Sequence, residues 1–587
     1  MGAMGAAAAA LALSAGTASA ADPIMPLSEV RAGMTGTAYT VVQGTTITSF
    51  PVTITDVQPA PSGPGGALIL VRAEGPLIAQ TGGIAQGMSG SPVYVTGGDG
   101  VPRVIGAISY GQGDEANVLG AVTPIERMIS VSRGAQALER TRVPAAVRPT
   151  RIVSDRTAAL RLERRSPGTR ALYPLERWAV AGMDPRLMPL LRGVTGARAE
   201  VQQTLPRTFR PPVTLQPGAS MSALVAGGDF VVGAIGTVTY VDGNTVLGFG
   251  HPFTGAGATR LLLGDGYIYN VVPAPIRGGS FKFGEPGTVQ GMVTGDRRDG
   301  LVGTLGRVEA IRVRTVARDT ARGTTADLDV VLAPQPQLVP ILSDILQLEP
   351  LMQARDGLTG GTLTVKVTIR GGDLPSPIVY RNVYAASDDV ITASSGAASR
   401  PLTVLLQNSV KVFEPGAVDI EQTLSPTVQA ARITAARIVP SRVRPGQRAR
   451  LVLTVVRYRG DAERITVPVT LPKALDPGRV AFRVVPNSPD GFDPSPADLT
   501  AALLGESAAV RAHALRAAEA DLRELAAVPR GQRVLRTVRR LSEDRHDAIR
   551  VLSSGDDAED LADGIRVAVP GMVIYGGRAV ARVTVTG

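Results

Sequence analysis

Residues Gly87-Met88-Ser89-Gly90-Ser91-Pro92 carry the chain's clearest chemistry. Glycine tolerates backbone dihedrals closed to other residues, so a serine between glycines can sit on a sharp turn with its hydroxyl exposed. The same turn lets the N–H groups of Gly87 and Ser89 converge where an oxyanion would form. Those are the needs of an acyl-transfer nucleophile. Val93-Tyr94-Val95 follows, so the turn opens into a strand and not into the helix of a nucleophile elbow. Ser91, before Pro92 at the strand entry, reads as a structural hydroxyl.

A serine needs a base to take its proton. The chain has three histidines, His251, His513 and His546. The last two lie in Ala/Arg/Glu-rich sequence of helical pattern and read as structural or surface residues. His251 sits in Gly248-Phe249-Gly250-His251-Pro252-Phe253, directly after a β-patterned run. Glycine before it and proline after it restrict its backbone, as a positioned base requires. Alone it could equally be a loop histidine bonded to a carbonyl. Beside Ser89, with so few rivals, it is the candidate general base.

The stretch Thr81-Gly-Gly-Ile-Ala-Gln-Gly-Met-Ser-Gly-Ser-Pro-Val-Tyr94 resembles the signature of the SpoIVB-type serine peptidases. So does Val104-Ile105-Gly106-Ala107-Ile108, and Gly236 to Phe253 resembles that family's histidine region. Gly287 to Met292 and Gly300 to Gly303 resemble the sequence after it. The resemblance covers roughly the first half of the chain. It implies a trypsin-like double β-barrel with a Ser-His-Asp type triad.

Two departures stand out. In the sporulation peptidase the histidine half comes first, whereas here Ser89 precedes His251, as if the halves were circularly permuted. Triads are defined by geometry and recur in different chain orders, so this does not forbid catalysis. The second departure is the acid. The aspartate that the resemblance implies before the serine aligns with Glu74, in Arg-Ala-Glu-Gly-Pro. Asp56 and Asp242 are the fallbacks, and Glu74 could equally be a solvated loop charge.

Positioning these groups requires strands. Gly36 to Thr45 and Gly236 to Thr245 both read as a strand entering a turn, each followed by a strand ending in Phe50 or Phe249. They are expected to be equivalent hairpins of two related barrels. A chain of 587 residues with 67 Gly and 44 Pro is too long for one core and rich in turns, so several mainly β domains are expected. The fold expected is a trypsin-like double β-barrel followed by β-sandwich-like C-terminal domains with a helical insertion.

The boundaries follow from composition. Residues 1–20 read as an export signal, with Ala18-Ser19-Ala20 as its cleavage site. Its basic n-region is missing, so the true start lies upstream or Met1 lies inside the signal. Residues 21–141 are the serine half-barrel region, 142–218 a connector holding Trp178, and 219–310 the histidine barrel. Residues 311–430 are a β-rich extension with an amphipathic helix at Leu338 to Met352. Residues 431–587 form an immunoglobulin-like domain interrupted by helices at about 494–541.

The net charge of +10 comes from 61 Lys and Arg against 51 Asp and Glu, with lysine only at 282, 366, 411 and 473. The densest basic run, Arg151 to Arg170, lacks interleaved aromatics, so a nucleic-acid partner is not expected. No apolar run of ~18 residues suggests a membrane span. The absence of cysteine removes disulfides and thiol chemistry. There is no metal-spaced histidine cluster, P-loop or dinucleotide fingerprint, so no cofactor or metal is expected. The expected function is an exported bacterial serine endopeptidase acting on protein or peptide in the cell envelope. Its rival is an envelope scaffold that keeps the fold without turnover.

Overall fold

Runs of alternating β-branched residues punctuated by glycine turns become strands through most of the chain. The structure is a computed structural model. It describes residues 21–586 apart from 60–66, 115, 134–149, 196–200, 204–209, 274–278, 356, 358, 489–491, 494–532, 542 and 554–563. The molecule is mainly β.

Six strands build the first barrel: β1 (Thr35–Val41), β2 (Ile47–Pro59), β3 (Ala67–Ala73), β4 (Ser91–Thr96), β5 (Pro102–Gln112) and β6 (Leu119–Pro124). They pair antiparallel in the order β1-β2-β3-β6-β5-β4, and β4 returns to β1 to close the ring. Closure leaves no unpaired edge within the six. Phe50, Ile54, Ile69, Val93, Ile108 and Val122 fill its interior.

The connector is built onto both barrels. Its strands β7 (Thr150–Ile152) and β8 (Arg170–Pro174) extend the first sheet through β5. Its strands β9 (Trp178–Ala181) and β10 (Val201–Gln203) extend the second. Trp178 packs on Phe253, with ring centroids 4.5 Å apart.

The second barrel comprises β11 (Ser220–Gly228), β12 (Val231–Asp242), β13 (Thr245–Gly248), β14 (Gly257–Val272), β15 (Phe281–Arg297) and β16 (Gly300–Leu305). Its order is β11-β12-β13-β16-β15-β14, closed by β14 on β11. Counted within each barrel, both follow the order 1-2-3-6-5-4. The two halves therefore share one topology. The hairpins expected to be equivalent are not: Gly36 to Thr45 joins the first and second strands of its barrel, whereas Gly236 to Thr245 joins the second and third. Similar turn chemistry arose at different places in one topology.

No break in the sheet marks residue 311. Val330–Leu332 pair with Ala226–Gly228 of β11, so the extension continues the second barrel's sheet. The extension's helix, Val339–Ala354, is buried on nearly every side and not amphipathic. It sits between the extension's sheet and the helix Ser399–Leu406, which explains apolar residues all round. Further on, the strand Arg448–Arg457 and its neighbours face the sheet of Gly478–Pro486 and Ala579–Val585. Leu451, Leu453, Phe482, Ile549 and Val583 share their core, a two-sheet sandwich. The expected helical insertion lies mostly outside the described residues. Its last helix, Arg533–Leu541, buries Val534, Val538 and Leu541 in the second barrel's core cluster, away from the sandwich.

Candidate active site

Ser89 lies on the turn before β4, the fourth strand of its barrel. Gly87 and Gly90 flank it at φ +88° and +94°, values that β-carbon sterics disfavour. The turn is pinned within its own barrel by Met88 N–H to the Ala85 carbonyl (2.9 Å) and Gly90 N–H to the Ile108 carbonyl (2.8 Å).

The second barrel grips the same turn. Thr237 of β12 donates its N–H to the Ser89 carbonyl (2.7 Å) and its hydroxyl to the Gly87 carbonyl (3.1 Å). Thr239 donates to the Gly90 carbonyl (2.8 Å). Lys282 threads between the barrels, its Nζ donating to Thr40 Oγ1 (2.8 Å) and Thr237 Oγ1 (3.1 Å). Burial pushes this ammonium down to about 7, because a low-dielectric site disfavours its charge.

At Gly90 the barrels are in close contact. A β-carbon there would fall 1.8 Å from the Thr237 oxygen and 2.6 Å from the Phe249 nitrogen. Gly90→Ala is accordingly expected to cost about 2–5 kcal/mol, from left-handed strain plus overpacking. Thermal unfolding would check it; an unchanged melting temperature would mean the barrels separate freely.

His251 follows β13, the third strand of its barrel. The turn that carries it is organised by Asp296, near the end of the fifth strand, β15. The fully buried Asp296 carboxylate accepts from Phe253 N–H (2.8 Å), Thr254 N–H (2.6 Å), Thr254 Oγ1 (2.7 Å) and Gly255 N–H (2.9 Å). The His251 Nδ1 lies 2.7 Å from the Pro252 carbonyl. A carbonyl can only accept, so Nδ1 carries the proton and Nε2 keeps its lone pair. Burial pushes the imidazole down to about 4, so it is a neutral base at physiological pH.

The connector crosses this junction. Gly87 N–H donates to the Leu175 carbonyl (2.9 Å), and Leu175 N–H donates to the Ser109 carbonyl (3.2 Å). Glu176 Oε2 lies 4.0 Å from His251 Nδ1. Burial, with the nearby Asp296 charge, raises the Glu176 carboxyl to about 8, so it is protonated at neutral pH. Arg177 donates to Gln86 Oε1 (3.0 Å) and covers the Phe281 ring at 4.0 Å.

Ser89 and His251 are thus brought to one seam, each 0% exposed. They do not hydrogen-bond to each other: Ser89 Oγ and His251 Nε2 are both buried without a partner. Catalytic hydrogen bonds often tighten only in the substrate complex. The Ser89 N–H has no acceptor among the described residues, while the Gly87 N–H is engaged by Leu175.

The acid expected from sequence is displaced. Glu74 is exposed at the end of β3, in the serine barrel, and makes no contact with the His251 ring. Asp56, inside β2, accepts from Val57 N–H and Gln58 Nε2, and Asp242 is exposed at the end of β12. The acids beside His251 are Asp296 and Glu176. The Gly295-Asp296-Arg297-Arg298-Asp299-Gly300 turn was the sequence signal for the first, a carboxylate at the tip of a long hairpin. Of the other histidines, His546 is buried with Nδ1 on the Val383 carbonyl (2.9 Å), a packing role, and His513 lies outside the described residues. Among the described residues no group of three His, Cys, Asp or Glu could hold a metal ion.

No curated protein and no solved structure matches the chain. Residues 2–129 match the model of the SpoIVB peptidase S55 family. That segment holds the whole first barrel, with Ser89 on its turn, so the likeness to the SpoIVB-type serine peptidases is carried by the serine-bearing barrel.

Proposed function

We propose that the protein is an exported serine endopeptidase, with Ser89 as nucleophile and His251 as general base. The observation that carries this reading is the pairing at one seam of a glycine-flanked serine with a neutral histidine whose Nε2 is bare. Ser89 Oγ would attack the scissile carbonyl while His251 Nε2 takes its proton, then returns it to the leaving amine. The Gly87 and Ser89 N–H groups would hold the oxyanion. Asp296 replaces Glu74 as the acid of the site. It acts on the ring by fixing the 251–255 turn and by placing a negative charge where the imidazolium forms.

Two features support the finer terms. The connector passes the site with chain on both sides, as a peptide cut internally must. Pro23 and Met25 bracket Val104 of β5 through main-chain bonds (2.9 and 3.0 Å), so a cut after Ala20 would leave the packed segment intact. Among the described residues no helix is long and apolar enough to cross a membrane.

Labelling with a fluorophosphonate probe tests the reading. The wild-type chain is expected to take the label and Ser89→Ala to take none. A wild type that stays unlabelled under conditions that open the site would favour the scaffold without turnover.

A further inference from the structure

The buried state of the site has a specific cause in the fold. Neither Ser89 nor His251 meets solvent, and the element lying on them is the connector segment from β8 to Arg177. Its main chain runs antiparallel to the end of β5, with Tyr173 opposite Gly111 and Leu172 opposite Gln112. Gly113 N–H bonds the Ala171 carbonyl (3.1 Å), and Leu175 N–H bonds the Ser109 carbonyl. The next carbonyl, that of Leu175, takes the Gly87 N–H, one of the two donors assigned to the oxyanion. The Leu175 side chain is fully buried in the serine barrel's core cluster with Ile84 and Met88. A peptide presenting its carbonyl to this serine would make the same set of contacts.

Resting on the peptidase reading above, we propose that Arg170–Arg177 is a built-in substrate mimic that holds the site latent. An external peptide enters as an extended strand on Ser109–Gly113, with a leucine-like residue offering its carbonyl to Gly87, once this strap has left. The strap is the inexpensive element to move. It is a five-residue strand with a three-residue neighbour, β7, on its far side, whereas opening either barrel would break a closed ring. Releasing the strap exposes the buried Ala171, Leu172, Tyr173 and Leu175 but leaves both rings closed.

The cysteine-free chain allows a direct test. Gln112 and Leu172 face each other between the hydrogen-bonded pairs Ser109/Leu175 and Gly113/Ala171. Such non-hydrogen-bonded partners have α-carbons about 4.5 Å apart, within disulfide range. In the Ser89→Ala background, Gln112→Cys with Leu172→Cys locks the strap when oxidised and frees it when reduced. The probe is a fluorescent hexapeptide, Arg-Ala-Leu-Tyr-Pro-Leu, titrated to millimolar because the tethered strap competes at a comparable effective concentration. Binding is expected to be at least about tenfold tighter in the reduced state, since the locked strap cannot yield the groove. Equal binding in the two states, or none in either, overturns the proposal. The same cysteine pair with Ser89 intact separates the two readings. Fluorophosphonate labelling equal in both redox states leaves the peptidase standing and removes the strap. Redox-dependent peptide binding without labelling leaves the strap standing and removes the peptidase.

Discussion

Ser89→Ala is expected to lower kcat for peptide hydrolysis by ~10^6, and His251→Ala by a similar factor. The double variant should fall no further. Nucleophile and base act as one unit: an alkoxide without its base is as unavailable as a base without a hydroxyl, so the losses do not add. Residual catalysis would come from the Gly87 and Ser89 N–H groups and from binding alone. Steady-state kinetics on the two single variants and the double variant measure this. Losses that multiply would show that Ser89 and His251 do not work on the same proton. The pH profile adds a sign. The base must be unprotonated, and burial pushes His251 down to about 4. The wild-type rate should therefore persist as pH falls from 7 to 5, where an ordinary histidine would already be losing its base form.

What the sequence made legible was local. Gly87 and Gly90 reveal the Ser89 turn because positive φ at both positions has a residue signature. His251 stood out because two flanking residues stiffen it and histidines are few. The alternation along Arg448–Arg457 announced a sandwich strand because one face is wet and the other dry. Contacts made by the main chain were silent. Leu175 meets Gly87 and Ser109 through N–H and carbonyl groups that any residue would supply, so the strap's place depends on register, not on side-chain type. The carboxylate that neighbours His251 was silent for a related reason. Asp296 lies 45 positions after His251 in number, and only the long β14–β15 hairpin brings its carboxylate under the 251–255 turn. Glu74 was the acid nearest in expected spacing, but its spacing belonged to the other barrel.

Asp296→Asn separates the two acids that do neighbour the imidazole. The carboxylate satisfies three N–H groups and one hydroxyl with its two oxygens. An asparagine keeps one oxygen and turns an NH2 group toward donors that need acceptors, so the turn carrying His251 loses its anchor. The negative charge that would balance the imidazolium goes with it. The expected result is a fall in kcat of about 10^3–10^4, the scale on which misorienting a triad histidine acts, with peptide binding retained. Glu176→Gln should behave differently. Its carboxyl is already protonated at neutral pH, so glutamine preserves both shape and charge and the change should stay within about 0.5 kcal/mol. The reverse pattern, a severe Glu176→Gln loss beside a mild Asp296→Asn one, would make the strap's own glutamate the acid of the site. The strap could then not leave during turnover, because removing it would strip the imidazole of its partner.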